Sequence, residues 1–208
     1  MGPIDGDLIY VRHTECKNSA IGLNIHWPIL ECPLCEKSIR KPDELLLTAI
    51  PTPFDPLASC AVLLKPSSEN FLSYDIGDDL HVGIADSSSV VYSYWTNGIT
   101  TDRNSWIGSV VIYSFENTGF DGALYFFIEQ AKNRFLPQSY DFENWNCFDF
   151  ICSFLEFYRP PGVISLEKDY FVATLVQPAL QKVMRYCSLF KKVKNAPHEL
   201  YILPSKLN

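Results

Sequence analysis

The hydrophobic pattern of the chain changes from short strand-like runs in its first half to helical periodicity in its second half. Apolar and β-branched runs bounded by Pro, Gly, Asp, Asn or Ser predict strands, and such runs lie at 60–65, 80–85, 90–94 and 109–115. The polar residues between the second and third runs predict a hairpin. Four prolines between residues 41 and 56 predict an irregular segment, because proline restricts the backbone and cannot donate a hydrogen bond.

From residue 122 onward, apolar residues recur at helical spacing. The stretch 147–158 is apolar on most sides, so we expect it to form a buried central helix that ends before Pro160. The predicted elements of this half are a helix within 122–135, the central helix, a helical region from about residue 165, a helix at about 178–192 that begins with a proline, and a closing strand at 199–203.

Strands followed by helices predict an α+β protein. The distribution of prolines and cysteines divides the chain into three parts. We expect a zinc-ribbon-like N-terminal module at 1–40, a proline-rich linker at 41–58 that packs on the core, and an α+β domain at 59–208.

The N-terminal module carries a pattern of metal ligands. His13 and Cys16 form a His-x-x-Cys pair, and Cys32 and Cys35 form a Cys-Pro-Leu-Cys pair after fifteen intervening residues. Two chelating pairs separated by a loop are what a tetrahedral structural zinc site requires. His26 could replace His13 as the fourth ligand. The alternative without metal is a turn with reduced thiols, or a redox pair.

The overall composition narrows the class of protein. With 208 residues, 47% of them apolar, the chain is a folded globular protein. Its formal net charge of −7 supplies no basic stripe for phosphates, so we expect no nucleic-acid partner. The first eleven residues hold no secretory signal, and no apolar run is long enough to span a membrane. Seven cysteines therefore indicate free thiols or metal ligands in a cytoplasmic or nuclear protein.

Cys147 stands at the start of the central helix, directly after Asn146, whose side chain is that of a helix N-cap. Free N–H groups and the positive end of the helix dipole favour a thiolate there. A nucleophilic cysteine needs a base, usually an imidazole. His81 is the histidine outside both the metal-like module and the C-terminal region. The simpler alternative is structural, with Cys147 as a core thiol and His81 paired with Asp78 or Asp79.

The strand that contains His81 predicts where its side chain lies. Because residues alternate along a strand, His81 shares a face with Gly83, opposite Val82 and Ile84. The glycine leaves room beside the histidine for a partner. We therefore expect Cys147, on a helix packed across the sheet, to meet His81 there.

Several motifs occur in an order that is typical of a known group of thiol domains: Leu80-His81-Val82-Gly83-Ile84, Val90-Val91-Tyr92, Tyr140 and Asn146-Cys147-x-x-Phe150. They resemble the permuted papain-like domains of the PPPDE-type isopeptidases and of the lecithin retinol acyltransferase relatives. Over nearly the whole chain, a resemblance to the makorin-2 opposite strand protein family adds Cys32-Pro-Leu-Cys35, Cys60, Leu63-Leu64-Lys65-Pro66 and Leu136-Pro137. The implied fold is an antiparallel sheet packed on a central helix that starts at Cys147.

The papain-like resemblance also implies roles for single residues. Cys147 would be the nucleophile and His81 the general base that later protonates the leaving group. The acyltransferase relatives carry a second histidine where this chain has Tyr92. If the hairpin turns at 86–89, Tyr94 lies opposite His81 and could orient its ring. A neutral phenol stabilises an imidazolium less well than a carboxylate does, and this departure favours a pseudoenzyme.

Two functions therefore compete. The first is a cysteine isopeptidase or hydrolase that acts on a protein substrate through Cys147 and His81. The second is a catalytically inactive papain-like scaffold that binds a protein partner and contains a zinc module. Acyl transfer on lipid would require a membrane anchor or an amphipathic segment, and none is clear in the sequence.

Overall fold

A computed structural model describes residues 6–26, 28–55, 58–116, 118–161 and 167–203. Contacts within the chain divide it into two compact units. Unit 1 holds Pro3–Thr52 and Arg185–Asn208, and unit 2 holds Pro53–Met184. The predicted start of a helical region near residue 165 lies outside the described residues. The predicted three-part division at residues 40 and 58 remains a prediction.

Unit 1 contains a four-stranded antiparallel sheet in the order β3-β1-β2-β9. Its strands are β1 (Leu8–His13), β2 (Ser19–Leu23), β3 (Leu45–Ala49) and β9 (Leu200–Ile202). The closing strand predicted at 199–203 is confirmed, and it pairs with β2. The sequence did not predict this partner, because a pairing between distant segments leaves no local signal.

Strand β3 lies within the segment that the sequence predicts to be irregular. Its residues form an apolar run, Leu-Leu-Leu-Thr-Ala, that pairs with β1. Pro42 opens a short 3-10 turn before the run, and Pro51 follows it. The prediction of irregular structure is wrong here, because the prolines flank the strand and leave its hydrogen-bonding groups free.

Unit 2 contains a five-stranded antiparallel sheet in the order β7-β6-β5-β4-β8. Its strands are β4 (Ala61–Pro66), β5 (Leu80–Ala85), β6 (Val91–Trp95), β7 (Gly98–Asp102) and β8 (Val110–Ser114). The four strands predicted here are confirmed to within one residue at each end, as is the β5–β6 hairpin. The sequence analysis missed β7, although Asn97-Gly98, with φ +86° at the glycine, is a typical hairpin signal.

The helices are α1 (Phe120–Ala131), α2 (Cys147–Tyr158), α3 (Lys168–Phe171) and α4 (Gln177–Lys194), with a π-helical segment (Val172–Val176) between the last two. The central helix has the predicted bounds and a broad buried face. None of the described helices is long and apolar enough to cross a membrane. The α+β class is confirmed, with two antiparallel sheets.

Aromatic packing shows which face of the unit 2 sheet the helices cover. Phe150 of α2 packs edge-on against Phe135, which in turn packs against Tyr94 of β6. Tyr92, on the same face of β6, lies 6.0 Å from the ring of Tyr125 in α1. Helices α1 and α2 therefore cover the face that holds the even-numbered residues of β5 and β6. The opposite face carries a separate apolar cluster formed by Ala58, Ala61, Leu63, Ala85, Val91 and Trp106.

Candidate functional site

Four side chains of unit 1 meet in one cluster, which consists of His13, Cys16, Cys32 and Cys35. One ligand atom of each residue lies within 4.8 Å of the others, and Cys35 Sγ is 3.3 Å from His13 Nδ1. These are the four ligands predicted from the sequence, and together they could hold a metal ion. The alternative ligand His26 is exposed and does not belong to the cluster.

Tight turns direct each pair of ligands toward one point. After His13 ends β1, the N–H of Lys17 donates to its carbonyl oxygen. At the second pair, the N–H of Glu36 donates to the carbonyl of Cys32, and the N–H of Leu34 lies 3.4 Å from Cys32 Sγ. Lys17 and Glu36 directly follow the second ligand of their pairs and have φ of 57° and 60°, a conformation uncommon outside glycine. The backbone is thus bent to present both side chains of each pair together.

The surroundings of the cluster are those of a structural site. Burial raises the pKa of Cys32 to about 11, whereas the backbone N–H of Lys37 lowers the pKa of Cys35. Apolar residues of the same unit pack around the thiols, among them Ile9, Val11 and Leu45. Four protein ligands would complete the shell of a bound tetrahedral ion, which is the arrangement of structural metal sites rather than catalytic ones.

Asn146 caps the start of α2 through both its side chain and its backbone N–H. Asn146 Oδ1 accepts the N–H of Phe148 at 2.9 Å, and the N–H of Asn146 donates to Asp149 Oδ2 at 2.8 Å, which completes a capping box. Asn146 Nδ2 also donates to the carbonyl of Phe142 at 2.7 Å. The predicted N-cap is therefore confirmed, and it holds Cys147 at the first position of the helix.

Burial dominates the electrostatics of Cys147. The side chain is 2% exposed, and burial raises the pKa of its thiol to about 12. The nearby backbone N–H groups of Val82, Cys147 and Phe148 act in the opposite direction, but burial outweighs them. Desolvation of the charge thus opposes the effect of the helix terminus and is the larger influence on the pKa of this thiol, whereas the role of Cys147 as a nucleophile stays a prediction.

His81 lies in an aromatic environment on β5. Its ring is 4.6 Å from that of Trp95 and 5.5 Å from that of Trp106. Burial, and secondarily Lys65 on the neighbouring strand, lower its pKa to about 4. Nδ1 is buried without a hydrogen-bond partner among the described residues, so the predicted pairing with Asp78 or Asp79 is not observed at that atom. The imidazole is therefore neutral at neutral pH.

The register of the β5–β6 hairpin differs by one residue from the predicted one. Ile84 lies opposite Tyr92, so the ladder continues with Trp95, not Tyr94, opposite His81. A slip of one residue moves every side chain to the other face. The Tyr94 hydroxyl instead donates to the carbonyl of Leu136 at 2.9 Å on the helix side. The predicted placement of Tyr94 beside His81 is wrong, and the sequence analysis missed Trp95.

Cys147 and His81 approach the same part of β5 from different sides. His81 shares its face with Gly83, as predicted, and Trp106 packs on that face. Helix α2 lies on the other face, because its Phe150 packs against Phe135, which packs against Tyr94, and the backbone N–H of Val82 lowers the pKa of Cys147. Strand alternation was read correctly, but the face covered by the helix could not be read from it. Their joint catalytic role stays a prediction.

Two cavities of unit 2 lie near these elements. One, of about 220 Å³, is lined by Cys147 and Asn146 at the start of α2 together with Trp95 and Tyr140. The other, of about 420 Å³, lies between β6, β7 and α1 and is lined by Tyr92 and other residues. Of the three predicted catalytic residues, Cys147 lines the smaller cavity, whereas His81 and Tyr94 are not among its lining residues.

Comparisons with known proteins now identify the family. The family model described as DUF4796 C-terminal matches residues 47–193. The chain belongs to this family. This DUF4796 C-terminal protein is also 27% identical over 186 residues to the MKRN2 opposite strand protein of Homo sapiens. The matched region covers 82% of this chain and 80% of that protein. The resemblance to that protein seen in the motifs is therefore confirmed. No solved structure matches the chain.

Proposed function

We propose that this DUF4796 C-terminal protein is a non-catalytic scaffold, with a structural zinc site in unit 1 and a papain-like unit 2, and that it binds a protein partner. The observation that carries this proposal is the convergence of His13, Cys16, Cys32 and Cys35 within 4.8 Å. In this proposal, Cys147 occupies the position of a catalytic thiol, but its surroundings and those of His81 do not support catalysis.

The chemistry of the ligand set supports zinc. Three thiols and one imidazole are soft and borderline donors that select zinc over magnesium or calcium. Zinc binds sulfur at about 2.3 Å and nitrogen at about 2.0–2.1 Å, so ligands that already lie this close need only small adjustments. The ion would hold the two turns together and add to the stability of unit 1.

The lack of catalysis is supported by the protonation states of the candidate pair. A neutral thiol at Cys147 is a poor nucleophile, and its base would have to lie within hydrogen-bond reach, about 2.6–3.2 Å. The His81 ring lies on the sheet face opposite α2 and is packed by Trp95 and Trp106. An indole in the orienting position cannot accept a proton from the imidazole.

The papain-like assignment of unit 2 rests on its central helix. Helix α2 begins at Cys147, packs across β5 and β6, and is covered by α1 on an antiparallel sheet. The papain-like motifs imply the same arrangement, in which a strand that contains a histidine packs against a helix that begins with a cysteine.

A matched pair of cysteine variants tests the zinc site. Cys32 and Cys187 both lie in unit 1 and are 1% and 2% exposed, but only Cys32 belongs to the cluster. We expect native mass spectrometry to find one zinc ion in the wild type and in Cys187→Ala, and none in Cys32→Ala. Wild-type protein that is folded and metal-free after expression with zinc would overturn this part of the proposal.

A second candidate, a cysteine hydrolase, is favoured by one observation. Cys147 lines a cavity, and the backbone N–H of Val82 lowers the pKa of its thiol, an arrangement that could stabilise negative charge. We expect iodoacetamide at neutral pH to modify Cys147 slowly and at equal rates in the wild type and His81→Gln, as mapped by peptide mass. Rapid modification that slows in His81→Gln would favour the hydrolase instead.

A further inference from the structure

The cavity beside Cys147 combines aromatic walls with acidic side chains. It has a volume of about 220 Å³, and all of its lining residues belong to unit 2. Among the described residues that line it, none is a lysine, arginine or histidine. Four aromatic and two acidic residues are among those that line it, namely Trp95, Tyr140, Phe142, Phe148, Asp78 and Asp79.

Two of the aromatic residues that line the cavity have rings inclined to each other. The centroids of Trp95 and Tyr140 are 5.5 Å apart, and their planes are inclined by 53°. Phe142 is 57% exposed, so part of its ring is open to solvent. Aromatic faces are electron-rich, and inclined rings form a corner that attracts a cation, more strongly when the cation loses its water.

The acidic residues add attraction for the same kind of ligand. Asp78 and Asp79 are both exposed and lie in the segment before β5. Asp78 accepts the N–H of Asp75 at 2.8 Å, which fixes its carboxylate in this loop. A carboxylate beside aromatic faces favours a positively charged head group over a neutral one of equal size.

An anion is a poorer ligand for the cavity, although a helix begins there. The N–H of Phe148 is already engaged by Asn146 Oδ1, and the carboxylate of Asp149 accepts the N–H of Asn146. The capping groups thus occupy donors that an anion would need. Asp149 also partly offsets the positive end of the helix dipole.

We propose that this cavity binds an alkylammonium group, as carried by a lysine or methylated lysine side chain or by a small quaternary amine. Its volume lies below the roughly 300–1,000 Å³ of sites for drug-sized ligands, which fits a single head group. This inference rests on the binding role proposed for unit 2 and names the chemistry of the partner, but it does not depend on zinc.

Tetramethylammonium chloride and its neutral analogue tert-butanol test the inference at constant ionic strength. We expect saturable binding of the cation to the full chain, followed by NMR or tryptophan fluorescence, and no saturable response to the alcohol. Phe142→Ala should weaken binding about two- to fivefold. Its control is Phe126→Ala, because Phe126 is also 57% exposed and lies on α1, outside the cavity.

A charge variant provides an independent check. Asp79→Asn should weaken binding of the cation, whereas Asp75→Asn, in the same loop but not in the cavity lining, should leave it unchanged. Equal binding of the alcohol, no saturable binding of the cation, or indifference to both Phe142→Ala and Asp79→Asn would overturn the proposal. All of these proteins should remain folded, because the replaced side chains are exposed.

Peptides that differ in one residue separate the two sources of the ligand. If a peptide with trimethyl-lysine or lysine binds more tightly than the free cation, and the norleucine peptide does not bind, the ligand belongs to a protein partner. Equal affinity of the peptide and the free cation would assign a small amine instead. Zinc content and Cys147 modification, measured on the same samples, report separately on the proposed scaffold, so the failure of either idea can be recognised by itself.

Discussion

Burial of His81 makes the stability of unit 2 depend on pH. The residue is 7% exposed, and its ring packs against Trp95 and Trp106. Its pKa is lowered from 6.5 to about 4, mainly by burial and secondarily by the charge of Lys65. Because the folded state favours the neutral ring, the unfolded chain takes up a proton first as the pH falls.

The sign and size of the effect follow from this pKa difference. Between pH 6.5 and about 4 the unfolded state binds more protons at His81, so stability is lost as the pH falls through this window and is fully present above it. A pKa difference of one corresponds to about 1.36 kcal/mol. The full effect is about 3 kcal/mol, of which about 2 kcal/mol is lost between about pH 7.5 and pH 5.

Urea unfolding of the wild type and His81→Gln at these two pH values measures the effect. Three of the four tryptophans, Trp95, Trp106 and Trp145, belong to unit 2, so tryptophan fluorescence reports mainly on this unit. We expect the wild type to lose about 2 kcal/mol more than His81→Gln on acidification. His26→Gln, at an exposed site, should behave as the wild type does. Loss of any metal bound at the proposed zinc site would affect all three proteins alike, so equal losses in the wild type and His81→Gln would refute the reasoning.

Three further substitutions test the packing of unit 2 by urea unfolding. Gly83→Ala should lower the free energy of unfolding by about 1–3 kcal/mol, because the added Cβ would lie 2.6 Å from a buried valine methyl group. Its control is Gly122→Ala, which should not destabilise, because the added Cβ meets nothing within 4 Å. Equal effects of the two substitutions would contradict the steric argument. Asn146→Ala should cost about 1–2 kcal/mol through loss of the cap, and Asn146→Asp should recover most of it. Phe154→Ala should cost about 3–5 kcal/mol, because Phe154 is fully buried, and clearly more than Phe157→Ala, which alters a 44% exposed ring.

The β5–β6 hairpin shows how far local patterns can be read. Alternation in Leu80–Ala85 correctly separates the His81 face from the Val82 face. The register, however, depends on how the chain turns between Asp86 and Val90, where the N–H of Asp86 donates to the carbonyl of Val90. A difference of one residue in that turn places Trp95 instead of Tyr94 opposite His81. The histidine therefore faces an indole ring and not the hydroxyl that was predicted to orient it.

The ligand cluster was predictable because each half of it is local. His13-x-x-Cys16 and Cys32-Pro-Leu-Cys35 each span a single turn, and the residue types that bind zinc are few. The choice between His13 and His26 was not local. It was decided by β1, which ends at His13 and pairs with β3, a strand that the sequence analysis had missed.

Local patterns were enough to predict helix α2, its Asn146 cap and the two ligand pairs, since these depend on residues a few positions apart. Three features became visible only in the folded chain: the burial of Cys147, the indole rings around His81, and the position of the two residues on different faces of β5. The physical reason is that charge states and sheet faces depend on desolvation and strand register, both of which arise from contacts between distant segments.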